Sequence, residues 1–154
     1  MLFLKKFKLF YFLSILLFCF TAYANESAEK PLTGKYTEKH QNGNPKYEVN
    51  YINGKKEGLE IFWYNSGGKY IQTTYKNDKE DGIWNQWFEN GQLKLEAHYK
   101  DGKEDGLFTL WYDNGTKKSE SNFVNGEKVG YETYWERNGD VKSKTLYKYG
   151  NPVN

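Results

Sequence analysis

The chain has one cysteine, two histidines and three prolines among its 154 residues. A single thiol can form neither an intramolecular disulfide nor a cysteine-rich zinc site. His40 and His98 are too few for a His-rich metal or relay site. No phosphate-cradling Gly-Lys-Ser/Thr loop occurs. The mean hydropathy of −0.92 excludes a multi-span membrane protein. No helical 3.6-residue period runs through the chain after its first two dozen residues. What is abundant is aromatic: 5 Trp, 14 Tyr and 10 Phe.

Residues 1–24 stand apart in composition. Lys5, Lys6 and Lys8 precede an apolar run from Leu9 to Phe20, followed by the small-x-small triplet Ala22-Tyr23-Ala24. This is the order of a secretory signal peptide, with cleavage expected after Ala24. The run is shorter than the roughly 20 residues of a spanning helix, so a membrane association would come only through an uncleaved leader. Cys19 lies inside the run and follows the bulky Phe18, which disfavours lipidation. Removing the leader's three lysines leaves 19 basic against 20 acidic residues. That balance does not suit a nucleic-acid partner. A periplasmic or extracellular location follows from the leader. Residues 25–33 form a polar lead-in.

The rest of the chain repeats every 24 residues. Glycines recur at 34, 58, 82, 106 and 130, and again at 43, 67, 91, 115 and 139. Rings recur at Tyr51, Tyr75, Tyr99, Phe123 and Tyr147. Trp63, Trp87, Trp111 and Trp135 share one slot, which Lys39 fills in the first copy. A further turn slot holds Gly54, Gly102, Gly126 and Gly150, with Asp78 in the second copy. The units are 34–57, 58–81, 82–105, 106–129 and 130–153, within a repeat domain of 34–154. Each reads as a β-hairpin, with two runs of β-formers separated by turns such as Asp113-Asn114-Gly115. No crossover is long enough for parallel pairing. The fold class is therefore all-β, an extended antiparallel meander of about ten strands. A lone hairpin is marginal in water, so stacked neighbours must supply the stability. The ends should then be polar caps: Lys35, Thr37 and Lys39 in the first unit, Glu132 and Glu136 in the fifth. Some rings are expected to lie over the glycines of neighbouring strands.

Turn length decides which side chains share a face. A three-residue turn with a glycine bulge groups Leu107, Thr109 and Trp111 with Ser119, Ser121 and Phe123. It groups Ile83 and Trp87 with Leu93, Leu95, Ala97 and Tyr99, leaving Lys94, Glu96, His98 and Lys100 opposite. A two-residue turn instead groups the Trp series with those charged residues. The three-residue turn separates the two classes better and is the expected one.

The string Tyr99-Lys-Asp-Gly102-Lys-Glu-Asp-Gly106, continued by Trp111-Tyr-Asp-Asn-Gly115, resembles a MORN repeat. It is most similar to the bacterial variant in a family often labelled the antitoxin component of a toxin–antitoxin system. The resemblance covers residues 34–153 and implies stacked hairpins in an extended single sheet with a binding or scaffolding role. A leader that exports the chain fits an immunity protein against an exported toxin better than an inhibitor of a cytosolic one.

No converging catalytic set is visible, so the chain reads as a non-enzyme. Glu96 and His98 lie among lysines on a solvated strand face. Asp and Glu cluster in turns beside lysine, at Glu57, Glu80-Asp81, Glu104-Asp105 and Glu127, as turn chemistry and without a calcium-ligand ladder. No metal or cofactor is implied. The face opposite the Trp series carries the candidate binding surface: Phe62, Tyr64, Trp84, Phe88, Phe108, Tyr112 and Tyr134, with Tyr70 and Leu110 beside them. Contiguous ring surfaces mark contacts. A protein partner is the first expectation, because Tyr and Trp dominate binding hot spots. An antitoxin or immunity role and binding to cell-wall glycan are the alternatives.

Overall fold

A computed structural model describes residues 32–153. The leader at 1–24 and nearly all of the lead-in lie outside the described residues. Twelve strands form one open antiparallel sheet. They are β1 (Gly34–Lys39), β2 (Pro45–Ile52), β3 (Lys55–Trp63), β4 (Lys69–Lys76), β5 (Lys79–Glu80), β6 (Gly82–Trp87), β7 (Leu93–Lys100), β8 (Lys103–Trp111), β9 (Lys117–Val124), β10 (Glu127–Trp135), β11 (Val141–Lys148) and β12 (Asn151–Val153). The long strands that are neighbours in space are neighbours in sequence; the short β5 pairs with β4 and lies off this path, and β4 also pairs directly with β6. Five long hairpins result: β1–β2, β3–β4, β6–β7, β8–β9 and β10–β11.

Two kinds of turn alternate. Within a hairpin the loop has three residues. In β6–β7, the Gly91 N–H donates to the Phe88 carbonyl and the Phe88 N–H to that of Gln92, and Gly91 has a φ of 84°. Asn90 reinforces it by accepting from the Gln92 N–H at 3.0 Å. Between hairpins the loop has two residues, both at positive φ, as in Asp101 (50°) and Gly102 (82°). That is the primed turn whose twist suits antiparallel strands.

The expected three-residue turn is present, yet the expected grouping of side chains is not. One pair beyond the turn, each hairpin has a one-residue bulge. Trp87 opposes Leu93 while Gln86 opposes Leu95, so Lys94 is unpaired. The same slot holds Lys46, Tyr70, Lys118 and Lys142. A bulge shifts register by one, and a shift of one moves every following side chain to the other face. Ala97 therefore opposes Trp84 rather than joining Ile83, and Ile83 opposes His98. Ser119 and Ser121 likewise oppose Leu110 and Phe108 instead of accompanying Trp111.

The two faces follow from this register. One, the ring face, is organised by a central row alternating large and small side chains. Tyr36 opposes Val49, Val49 opposes Glu60, and Glu60 opposes Thr73. Trp84 and Phe108 flank Ala97, and Ser121 lies between Phe108 and Glu132. Nearly every small member is buried: Val49 and Ala97 are each 1% exposed, Thr73 is 2% and Ser121 is 5%. The ring series at Tyr51, Tyr75, Tyr99, Phe123 and Tyr147 lies on this face too. Each of these rings stands directly opposite a glycine, from Gly34 to Gly130. Glu132 is not the polar cap the sequence suggested. It is 7% exposed and accepts hydrogen bonds from Ser121, Lys128 and Tyr134.

The other face, the tryptophan face, carries Trp63, Trp87, Trp111 and Trp135. They lie two residues beyond Ile61, Asn85, Thr109 and Thr133, with which they alternate. Those four are separated by Gln72, Glu96 and Glu120 on the intervening strands.

Candidate functional site

The seven ring residues proposed from sequence fall into two groups. Phe62, Trp84, Phe108 and Tyr134 stand on the ring face, in or beside its central row. Phe62 lies 4.6 Å from Tyr47, which lies 6.0 Å from Tyr36; Phe108 lies 5.9 Å from Phe123. These separations are those of favourable aromatic pairs. Tyr134 is 39% exposed, while Phe62, Trp84 and Phe108 are half-buried. Phe62 and Phe108 thus pack at a tilt on neighbouring rings, and all four residues keep part of their surface open.

Tyr64, Phe88 and Tyr112 occupy a different place, at the base of the three-residue turns. There they join neighbouring hairpins. Tyr64 Oη donates to the Trp87 carbonyl at 2.7 Å and Tyr112 Oη to that of Trp135 at 2.9 Å. His40 Nε2 lies 3.0 Å from the Trp63 carbonyl in the same slot of the first hairpin. Phe88 has no hydroxyl to make this rung. The bulge residue packs on the ring: Tyr70 lies 4.8 Å from Tyr64, and the ammonium groups of Lys94 and Lys118 sit 5.6 and 5.7 Å from the Phe88 and Tyr112 ring centres. Arg137 covers Tyr112 as well and pairs with Asp113.

Sequence reasoning missed the charged groups embedded in the ring face. Glu60 is 4% exposed and accepts from Tyr47 at 2.6 Å, and it pairs with Lys56. Lys56 in turn lies 4.5 Å from the Tyr75 ring centre. Three hairpins later Glu132, Lys128 and Tyr147 repeat this arrangement. Burial opposes ionisation of Glu132, but the hydrogen bonds from Lys128 and Ser121 outweigh it and hold the carboxyl below its ordinary range. Burial, and then the bond to Glu60, push the Tyr47 hydroxyl well above the usual tyrosine value. Burial followed by the charge of Glu60 does the same at Tyr75. The signal for these sites was the pairing of Lys and Glu four residues apart at the start of the second and fifth hairpins, where the third and fourth have Glu80 with Trp84 and Glu104 with Phe108.

The turn carboxylates have a specific task. Glu57, Asp81 and Asp105 accept from the N–H of Asn77, Asp101 and Asn125, each 20 residues on, at 2.9, 3.3 and 3.1 Å. Beside them the N–H of Asp78, Gly102, Gly126 and Gly150 donates to the carbonyl 22 residues earlier. Asp78, in the glycine slot, also accepts from the Lys56 N–H at 2.7 Å. These clips join hairpin to hairpin. His98 lies 3.6 Å from Glu96 on the tryptophan face. Among the described residues there is no group of three or more His, Cys, Asp and Glu that could hold a metal ion, and no helix is long and apolar enough to cross a membrane.

A family model described as MORN repeat variant matches residues 32–53, 56–77, 80–101 and 104–125. The chain belongs to the MORN repeat variant family. Each matched segment spans one hairpin, both long strands and the three-residue turn between them. The fifth MORN-like hairpin, β10–β11, lies beyond the matched segments. No curated protein matches the chain. MORN repeats are generally non-catalytic and often serve in binding.

Proposed function

We propose that this MORN protein is an exported, non-enzymatic binding module that holds a protein partner on its ring face. The observation that carries the reading is the open patch of Phe62, Trp84, Phe108 and Tyr134, which lie in two adjacent rows on a sheet with a single layer among the described residues. Rings fixed by cross-strand neighbours lose little freedom on binding, and Trp and Tyr in such settings dominate interface energetics. The Lys56–Glu60 and Lys128–Glu132 sites bracket the apolar centre, where the part-exposed lysines and Tyr134 give a partner a charged and hydroxylated border. The leader at residues 1–24 supports an encounter in the periplasm or outside the cell.

The test is photo-crosslinking in intact cells from positions 84 and 108, with Lys103, exposed at the start of β8, as the control. The captured protein is then purified and titrated against the wild type and Trp84→Ala. The same protein captured from both ring positions, and bound at least about tenfold more weakly by the variant, is expected. Equal capture from position 103, capture of glycan alone, or an unchanged affinity would overturn the reading. Export is checked separately by sequencing the N-terminus of the cellular protein, which should begin at Asn25.

A further inference from the structure

The tryptophan face carries a second feature that the partner surface does not use. Leu59, Ile83, Leu107 and Tyr131 form a row along it, and they are 48, 45, 50 and 56% exposed. They sit on β3, β6, β8 and β10. The strands between offer Thr74, His98 and Asn122 in the same row. At the other end of the strands the tryptophans repeat the alternation, with Lys69, Leu93 and Lys117 between them. Large side chains thus stand on every second strand in two parallel rows.

We infer that this face binds a second copy of the chain. Consider a two-fold axis along the strands, passing between β6 and β7, the middle of the ten long strands. It lays β3 on the partner's β9, β6 on its β7, β8 on its β4 and β10 on its β2. Every residue of the exposed apolar row then meets a residue of an intervening strand. Leu59 faces the partner's Asn122, Ile83 the partner's His98 and Leu107 the partner's Thr74. The tryptophans follow the same rule. Trp63 faces the partner's Lys117 and Trp111 the partner's Lys69, contacts that a ring and an ammonium group favour. The chain already makes such contacts internally, with Lys69 5.7 Å from the Trp87 ring centre and Lys117 5.9 Å from that of Trp135.

The central row adds charge complementarity. It runs through Thr37, Glu48, Asn85, Glu96, Glu120 and Lys144. The axis opposes Glu96 to the partner's Asn85 and brings Lys144 next to the partner's Glu48, with no carboxylate on carboxylate. An axis running across the strands would stack each of those glutamates on its own copy. The size also fits. Ten strands at about 4.8 Å, each giving six residues at about 3.3 Å, make a footprint of roughly 900 Å². A standard stable interface needs about 800 Å² per partner. Such an isologous contact closes on itself and leaves both ring faces outward. The inference is independent of what binds the ring face.

The test begins with the molecular mass of the purified protein by sedimentation equilibrium at micromolar concentration. A dimer is expected, and Leu59→Glu/Leu107→Glu should halve the mass while the β-sheet circular dichroism persists. A second measurement reads the register. On a Cys19→Ser background, Ile83→Cys lies one strand spacing, about 4.8 Å sideways, from its copy across the axis, whereas Leu59→Cys lies about 24 Å from its own. With facing sheets about 10 Å apart the first pair is too far for a disulfide but within reach of a short bis-maleimide, which should join the first variant into covalent dimers and leave the second unjoined. A monomeric wild type, a charged double variant that stays dimeric, or equal behaviour of the two cysteine variants would overturn the inference.

Discussion

Replacing Tyr112 by Phe removes one atom group and leaves the ring with its Lys118 and Arg137 contacts. What disappears is the 2.9 Å bond to the Trp135 carbonyl, which ties the fourth hairpin to the fifth. A net loss of about 1 kcal/mol is expected, because the half-buried carbonyl recovers part of its bonding from water. The reverse experiment is already framed by the chain. Phe88 interrupts the rung that His40, Tyr64 and Tyr112 supply, so Phe88→Tyr should add the missing bond to the Trp111 carbonyl and stabilise by up to about 1 kcal/mol. Urea unfolding monitored by circular dichroism reads both. With a slope of about 1–3 kcal/mol/M, the two midpoints should move in opposite directions by roughly 0.3–1 M while the slope stays constant. In a stacked array the change should fall on the coupling between hairpins and not on either hairpin alone. If Tyr112→Phe leaves the midpoint unmoved, or Phe88→Tyr lowers it, the rungs do not contribute to holding the array together.

Three further outcomes are expected. Gly106 has a φ of 119°, and an added Cβ would stand 3.0 Å from the His98 Cβ, so Gly106→Ala should cost about 2 kcal/mol of unfolding free energy, while Gly91→Asn, at a φ of 84° with open space around it, should cost less than about 1 kcal/mol. Tyr149 has a φ of 50° in the slot that Asn53, Asn77, Asp101 and Asn125 fill elsewhere, so Tyr149→Asn should raise the thermal midpoint, with a stabilisation of about 0.5–1 kcal/mol. Glu132→Gln should cost about 2 kcal/mol near neutral pH. The folded carboxyl titrates below its ordinary value, so its contribution is complete above that value and fades as pH falls through the lowered one. The difference between the variant and the wild type should therefore shrink in acid, and a difference independent of pH would refute the assignment.

The 24-residue period made the hairpins and their order legible, because glycine and Asn-Gly mark turns for steric reasons that hold without tertiary context. Even the three-residue loop around Gly91 could be read. The faces could not. Lys46, Lys94, Lys118 and Lys142 recur as plainly as the glycines, but a periodic lysine on a strand signals an exposed position and not an unpaired one. One unpaired residue per hairpin was enough to exchange the companions of every tryptophan. The same limit applies at Glu132. A glutamate near the end of an array resembles a cap, and its burial becomes visible only when Lys128 is placed beside it and Ser121 across from it. Of the seven proposed site residues, the four on the ring face depended on alternation within one strand, which the bulge does not disturb. Tyr64, Phe88 and Tyr112 were gathered with them because they continue that alternation, and only the carbonyls 23 residues further on show that their hydroxyl slot serves the joints between hairpins.

The acidic turn residues show why the joints matter more than any single hairpin. Glu57, Asp81 and Asp105 each accept an N–H from the next turn, and the next position in this 24-residue series is Val129. Tyr149 then takes the left-handed turn position with no carboxylate in that slot to receive its N–H. The clip therefore weakens at β10–β11, the hairpin that also lies beyond the segments matched to the family model. Hydrogen exchange should read this as a gradient. Amides of β6 to β9, clipped on both sides, should exchange most slowly, and those of β11 and β12 fastest. Supplying the acceptor with Val129→Glu, together with Tyr149→Asn, should slow exchange in β11 specifically. If protection proved uniform along the sheet, or the pair of substitutions slowed exchange everywhere alike, the five hairpins would be one cooperative unit and the clips would not set local stability.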